Sequence, residues 1–271
     1  MSKFYVLYTD EKYGEEESLL KSSGIRTFRA DTYTQFTDLP TDKHFIMRGA
    51  KPSKPDYTLM YRFFQSQGIT LVSSPKSYEI ASSAKLNGEL LGKNAPRVYT
   101  FPSTTANAII IRDLNEAHAI TPLFVRSEKE SAAKYVGVDG CIVKSNSFTE
   151  YQTAIDNLRK SVSRFNEIIF KQLLPIKNTA TGAKLEYRAI IVEGQVISFD
   201  YSTDLPDPKT LGLGKFVASV SRDLYEKGFD GGFFMDFAVK EDGNFFVVEC
   251  KDLINGTIKD IKKFVDGLLD D

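Results

Sequence analysis

The sequence predicts an α/β domain at the N-terminus followed by an α+β half. Three observations carry this. Through the first hundred residues, apolar strand-like runs alternate with helix-patterned stretches, the signature of a parallel sheet. Beyond them, two pairs of apolar runs close on Glu193-Gly194 and Asp242-Gly243, which signals antiparallel hairpins. The 271 residues exceed one typical core and favour two or three packed units.

The elements follow in order. Residues 3–9 are rich in β-formers and read as a first strand, and 15–22 as a charged surface helix that ends near Gly24. Residues 28–30 form a weak strand and 44–48 (HFIMR) a short apolar one. A helix over 57–67 stops at Gly68, and a strand over 69–72 closes on Ser73-Ser74-Pro75. The spacing predicts one helix over 77–91, ended by Gly92, then a proline-flanked extended crossing through Pro96 and Pro102. Short strands at 123–126 and 140–143 surround a polar stretch, 127–134. A helix over 148–162 presents Phe148, Tyr151, Ile155 and Leu158 on one face. A strand over 168–174 ends at Pro175, and a polar loop covers 177–184. The hairpins span 186–192 with 195–201, and 233–239 with 244–250. Helices are expected at 216–227 and 257–269. The predicted division is 1–100, 101–170 and 171–271.

Composition narrows the function. With 42% hydrophobic and 26% charged residues the chain is an ordinary globular protein. A formal net charge of -1 gives no field for nucleic acid or an anionic membrane, so neither is an expected partner. No apolar run approaches the roughly 20 residues of a membrane span, and the first residues lack a signal-peptide core. Two cysteines, Cys141 and Cys250, make no disulfide framework and fit a cytoplasmic location. Two histidines, His44 and His118, argue against a zinc site or a histidine-based triad.

The second hairpin holds the leading candidates. If Asp242 and Gly243 form a two-residue turn, Asp236 faces Glu249 directly, about 5 Å away. Both acids interrupt apolar strands, and they repel unless a cation or shared proton compensates. On that count Glu249 shares its strand face with Val247 and Lys251. Magnesium suits such a pair because it takes one or two carboxylates and completes its shell with water and phosphate. If the turn is Gly243-Asn244, the register shifts and Asp236 faces Lys251, a plain cross-strand ion pair. The hairpin alone leaves both readings open.

Further candidates are scattered. Lys85 is a solvated helix lysine or a mobile phosphate contact. Arg126 ends an apolar strand and is able to grip phosphate oxygens bidentately. The polar stretch after it reads as a phosphate-covering lid or a charged turn. Lys171, Gln172 and Leu173 offer an adenine-lining strand end or a core strand running into a loop. Arg188 shares a strand face with Glu186 and either meets solvent or an anion. Asn255 is a neutral metal ligand or a turn residue. Arg48, before Gly49, is a candidate for gripping a substrate carboxylate or a structural arginine.

Taken in order, these segments resemble the ATP-grasp superfamily: Ser74-Pro75 before Lys85, Pro96 with Thr100, Phe124-Val125-Arg126 and Lys171-Gln172-Leu173, then Glu186-Tyr187-Arg188, Met235-Asp236-Phe237-Ala238 and Val247-Val248-Glu249. The resemblance covers nearly the whole chain. It implies an N-terminal α/β domain (1–100), a small ATP-grasp subdomain (101–170) and a C-terminal subdomain with the metal hairpin (171–271), the last two clasping ATP. It implies ATP and magnesium as cofactors. Lys85, Arg126, Lys171, Gln172, Leu173, Glu186 and Arg188 would serve the nucleotide, and Asp236, Glu249 and Asn255 the metal. Arg126, Arg188 and Lys251 would take part in catalysis. Two departures mark a divergent subgroup: Arg126 stands where many members have lysine, and Lys251 where many have asparagine. The implied activity is carboxylate activation as an acyl phosphate for attack by an amine, with small-molecule or peptide substrates. The rival readings are an ATP-binding sensor or scaffold, and a small-molecule kinase. Oligomeric state stays open, a homodimer included.

Overall fold

The computed structural model describes residues 2–128 and 132–270. The chain packs as two units, Met1–Ser82 with Lys177–Asp271 and, between them in sequence, Ser83–Ile176.

The larger unit begins with the expected parallel sheet. Strand β1 (Phe4–Tyr8) is followed by helix α1 (Gly14–Ser22), β2 (Thr27–Arg29), β3 (His44–Arg48), helix α2 (Lys54–Ser66), β4 (Thr70–Leu71) and helix α3 (Pro75–Ser82). The sheet order is β2-β1-β3-β4, with every pair parallel. All five β1 residues are buried, as a central strand of a parallel sheet requires. Helix α2 starts earlier than the apolar spacing indicates, because Ser53 caps it and Pro55 sits in its first turn.

The helix expected over 77–91 is two helices. Ser83 leaves the helical region (φ -115, ψ 115) and its side chain accepts from the Leu86 amide. A serine that bonds to a nearby amide offers the backbone an alternative to continuing the helix. The break coincides with the start of the smaller unit.

That unit contains α4 (Ala84–Leu91), β5 (Val98–Pro102), α5 (Asn107–Glu116), β6 (Leu123–Ser127), α6 (Ala133–Val136), β7 (Ile142–Val143), α7 (Phe148–Ser161) and β8 (Glu167–Gln172). Its antiparallel sheet runs β5-β8-β6-β7. Residues 100 and 170, where the sequence division falls, lie inside β5 and β8, which pair with each other. Helix α5 is an addition to the sequence reading. Its Ile110, Ile111 and Leu114 join Tyr151, Ile155 and Leu158 of α7 and Ile168 and Phe170 of β8 in one core. Three consecutive isoleucines disguise the helical spacing, since β-branched residues favour strands. In the polar stretch read as a phosphate-covering lid or a charged turn, Lys129, Glu130 and Ser131 lie outside the described residues.

The chain then returns to the larger unit with β9 (Glu186–Val192), β10 (Gln195–Asp200), α8 (Leu213–Glu226), β11 (Gly232–Val239), β12 (Phe245–Asp252) and α9 (Ile261–Leu269). This sheet is antiparallel, in the order β10-β9-β11-β12. Helix α9 starts at 261 because Asp260 caps it, accepting from the Lys263 amide. Ile190, Val192 and Phe234 of this sheet pack with Phe4, Val6 and Tyr8 of β1 and with Phe264, Val265 and Leu268 of α9. One core thus joins both sheets of the larger unit. No helix among the described residues is long and apolar enough to cross a membrane.

Candidate active site

The third sheet carries a row of four charged residues, one per strand. Asp200 of β10 opposes Arg188 of β9, Arg188 opposes Asp236 of β11, and Asp236 opposes Glu249 of β12. Directly opposed residues share a sheet face, so all four project to one side. Two positions further along that face, Ile190 and Phe234 enter the apolar core. The face is therefore apolar at one end and charged at the other.

The Asp236–Glu249 pairing arises by a different route from the expected two-residue turn. Glu241, Asp242 and Gly243 form a three-residue loop, closed by Lys240 N–H to Asn244 O at 2.8 Å and Gly243 N–H to Lys240 O at 2.9 Å. Gly243 adopts φ +85, which favours a residue without Cβ. This loop alone would set Val248 opposite Asp236. A bulge at Val248 restores the register, because Phe237 pairs with Val247 while Asp236 pairs with Glu249. The bulge also corrects the expected face. Val247 lies opposite Phe237, on the other side of the sheet from Glu249.

The acids are held by protein cations. Arg188 donates from Nε to Asp236 Oδ1 at 2.6 Å and from Nη2 to Oδ2 at 2.9 Å, the strong bidentate form. Its guanidinium also lies 4.8 Å from the Phe234 ring centroid. Lys251 bridges the two acids, with Nζ 3.2 Å from Asp236 Oδ2 and 2.5 Å from Glu249 Oε1. Two bare carboxylates about 5 Å apart would repel by about 3 kcal/mol at an effective dielectric near 20, so a cation here has an electrostatic reason. Burial works to raise the Asp236 carboxyl, but the Arg188 hydrogen bonds and the Lys251 charge outweigh it and hold the group below the usual aspartate range. Burial likewise disfavours the Lys251 charge, yet Glu249 and Asp236 hold its ammonium above the ordinary lysine value. Hydrogen bonding to Asp236 raises Arg188 further.

Asp200 completes the row and is absent from the sequence candidates. It is buried, its Oδ2 accepts from the Lys259 amide at 3.1 Å, and its Oδ1 has no hydrogen-bond partner among the described residues. Counting from the Glu193-Gly194 turn would set Phe199 against Arg188. A bulge at Ile197, which sequence does not announce, moves Asp200 there instead.

The donor chemistry fits one magnesium ion. Asp236 and Glu249 offer hard oxygens from adjacent strands, and such an ion draws its remaining ligands from water and phosphate. Among the described residues no group of three or more His, Cys, Asp or Glu is arranged to hold a metal, so no all-protein cage is present there. Asn255 is exposed in the loop after β12, and Glu186 is exposed at the start of β9.

Arg48, a candidate for gripping a substrate carboxylate or for a structural arginine, has the surroundings of the structural one. It is fully buried and grips Glu16 instead, from Nε and Nη2, both at 2.8 Å. It also donates to the carbonyls of Leu253 and Gly256 and lies over the Tyr13 ring. Glu16 accepts in addition from Tyr8 Oη at 2.9 Å. Every direction in which Arg48 could reach a ligand is filled by the fold.

In the smaller unit, Arg126 and Lys171 project from one face of the sheet. Arg126 opposes Ile169, and Lys171 opposes Phe124 on one side and Val98 on the other. Ile168 and Phe170 point the other way, into the core under α5 and α7. Gln172 alternates away from Lys171, its amide donating to Arg97 O, and the Leu173 amide donates to Pro122 O. Arg126 Nε donates to the Ser127 carbonyl at 2.9 Å. Lys85 lies on α4, 4.0 Å from Glu89 Oε1, and α4 packs on β5.

No family model matches the chain. No curated protein sequence is significantly similar to it. Solved structures are. D-cycloserine synthetase DcsG superposes with a TM-score of 0.60 at 12% identity, covering 98% of this chain and 99% of that one. D-alanine–D-alanine ligase from Bacillus anthracis, complexed with ATP, gives 0.57 at 13%, covering 100% and 96%. The ATP-grasp ligase PsnB, complexed with a minimal precursor, Mg and ADP, gives 0.58 at 12%, covering 99% and 97%. The chain has the ATP-grasp fold, and the likeness runs its full length. At such identities the likeness carries the fold, and residue roles must rest on geometry.

Proposed function

We propose that this chain is an ATP- and magnesium-dependent ligase that joins a carboxylate to an amine. The row Asp200–Arg188–Asp236–Glu249 carries the reading. Four charged side chains aligned across four strands, on a face that becomes apolar two residues further along, concentrate charge where packing alone would favour apolar side chains. Support also comes from the fold, since similar structures include a ligase bound to ATP and one bound to Mg and ADP.

In the proposed reaction a substrate carboxylate oxygen attacks the γ-phosphorus of ATP. The bond to the β-phosphate oxygen breaks and ADP leaves with that electron pair. An amine nitrogen then attacks the acyl carbon, inorganic phosphate departs, and the nitrogen loses a proton. The protein's part is positioning and charge stabilisation. Arg188 is rigid, held by two hydrogen bonds and an aromatic face, and offers its remaining N–H groups to phosphoryl oxygens. Asp236 orients that arginine and, with Glu249, is assigned to magnesium, which when bound offsets phosphate charge. Asn255 is retained as a supplementary ligand. Lys85, Arg126, Lys171, Gln172, Leu173 and Glu186 are assigned to the nucleotide. Peptide or small-molecule carboxylates and amines are the substrate classes.

Incubation with ATP, magnesium and pooled amino acids, read by phosphate release and product mass, tests the reading. ADP, phosphate and a new amide are expected from wild type and are lost in Asp236→Asn. ATP binding without ADP formation, with Asp236→Asn behaving like wild type, would sink it. A second reading, an ATP-binding sensor without ligation, draws on Lys251, which already balances the acids. Calorimetry separates the two, because a sensor would bind ATP equally well with and without magnesium.

A further inference from the structure

The Asp236–Glu249 pair, read above as the metal site, has a cation in place. Lys251 Nζ is 3.2 Å from one acid and 2.5 Å from the other, the position of an ion shared by both. The ammonium comes from β12 itself, two residues beyond Glu249, and the bulge at Val248 sets both on the face of Asp236. Arg188 holds Asp236 from the opposite strand. Two unit negative charges thus meet two unit positive charges. A divalent ion entering this pair would meet net repulsion from Lys251 and Arg188, partly offset by Asp200 beyond Arg188.

We propose that Lys251 is a built-in counter-cation of the Asp236–Glu249 pair, competing with the divalent ion for the same two carboxylates. Metal then enters only when Lys251 swings away, which its half-exposed side chain permits. The lysine's alternative partner is the triphosphate, whose oxygens attract an ammonium as the carboxylates do. The free protein is therefore a poor metal binder, and ion and nucleotide load together. The inference rests on the ligase reading for its metal and deepens it by assigning Lys251 a positioning role.

Manganese, titrated into the nucleotide-free full-length protein and followed by electron paramagnetic resonance, tests this without any activity assay. Wild type and Lys251→Arg should bind weakly, and Lys251→Met should bind at least about ten-fold more tightly, because one competing charge is gone. Lys251→Gln gives a second neutral variant should Lys251→Met fold poorly, as judged by circular dichroism. The gain should vanish in Lys251→Met combined with Glu249→Gln. Equal manganese affinity in wild type and the neutral variants overturns the proposal, and so does a gain that survives Glu249→Gln. Calorimetry with a non-hydrolysable ATP analogue is the separate arm. Failure to bind it would remove the ligase reading while leaving the manganese result to decide the role of Lys251.

Discussion

Two arginine–carboxylate pairs of the larger unit engage both carboxylate oxygens, Arg48–Glu16 and Arg188–Asp236, and they differ in what surrounds them. Arg48 and Glu16 are closed in: Tyr8 donates to the acid, two carbonyls accept from the arginine, and neither side chain meets solvent appreciably. Arg188 and Asp236 are open: each is partly exposed, further acids stand on both flanks, and a lysine is shared. The first pair has all its capacity spent on the fold, tying β3 to α1 and to the loop after β12. The second has capacity left over, which is what binding a ligand requires. Side-chain type does not separate them, whereas satisfaction and exposure do.

The largest expected effect breaks the closed pair. Arg48→Met should destabilise the protein by about 3–5 kcal/mol in urea denaturation, because Glu16 is left charged and buried. Adding Glu16→Gln should recover much of that loss. A small loss in the single variant would mean that Arg48 does not hold the fold together. At the open pair the damage should move from stability to activity. Asp236→Asn should lower ATP turnover by about 10²–10³, the usual cost of losing a positioned electrostatic group, while costing about 1–2 kcal/mol of stability.

Acid sharpens the same contrast. The Asp236 carboxyl titrates below the ordinary aspartate value of about 3.9. A depressed folded-state value means its stabilisation is complete above the unfolded value and is lost as pH falls through the folded one. Wild type should therefore lose stability below about pH 4 more steeply than Asp236→Asn. Denaturation midpoints at pH 5, 4 and 3 measure it, and parallel curves would contradict the assignment. The smallest effect belongs to a third, peripheral cluster, where Glu193 meets His44 and Lys3. Glu193→Gln should cost no more than about 1 kcal/mol, measured by thermal melting, since the lysine and histidine are substantially exposed.

Much of this contrast was legible in the residues, though not by the expected means. The opposition of Asp236 and Glu249 follows from a two-residue turn count, yet the protein reaches it through a longer loop and a compensating bulge. Turn residues announce a hairpin, but a bulge has no local signature when its extra residue is another apolar Val248. The same limit hid Asp200, displaced into the row by Ile197. Arg48 was ambiguous because its partner Glu16 lies 32 residues away. Strand and helix periods report on neighbours, while the satisfaction of a buried charge depends on distant contacts. Local competition explains the remaining misses: isoleucine crowding disguised α5, and Ser83 capped a new helix within an apparently continuous one.

Under the proposed function the open pair does chemistry and the closed pair does not. Arg188→Met, assayed for ATP-dependent phosphate release beside its thermal midpoint, tests it most directly. The predicted result is near-complete loss of turnover with a melting temperature close to wild type. Turnover retained in Arg188→Met, or a loss explained by unfolding, would contradict it.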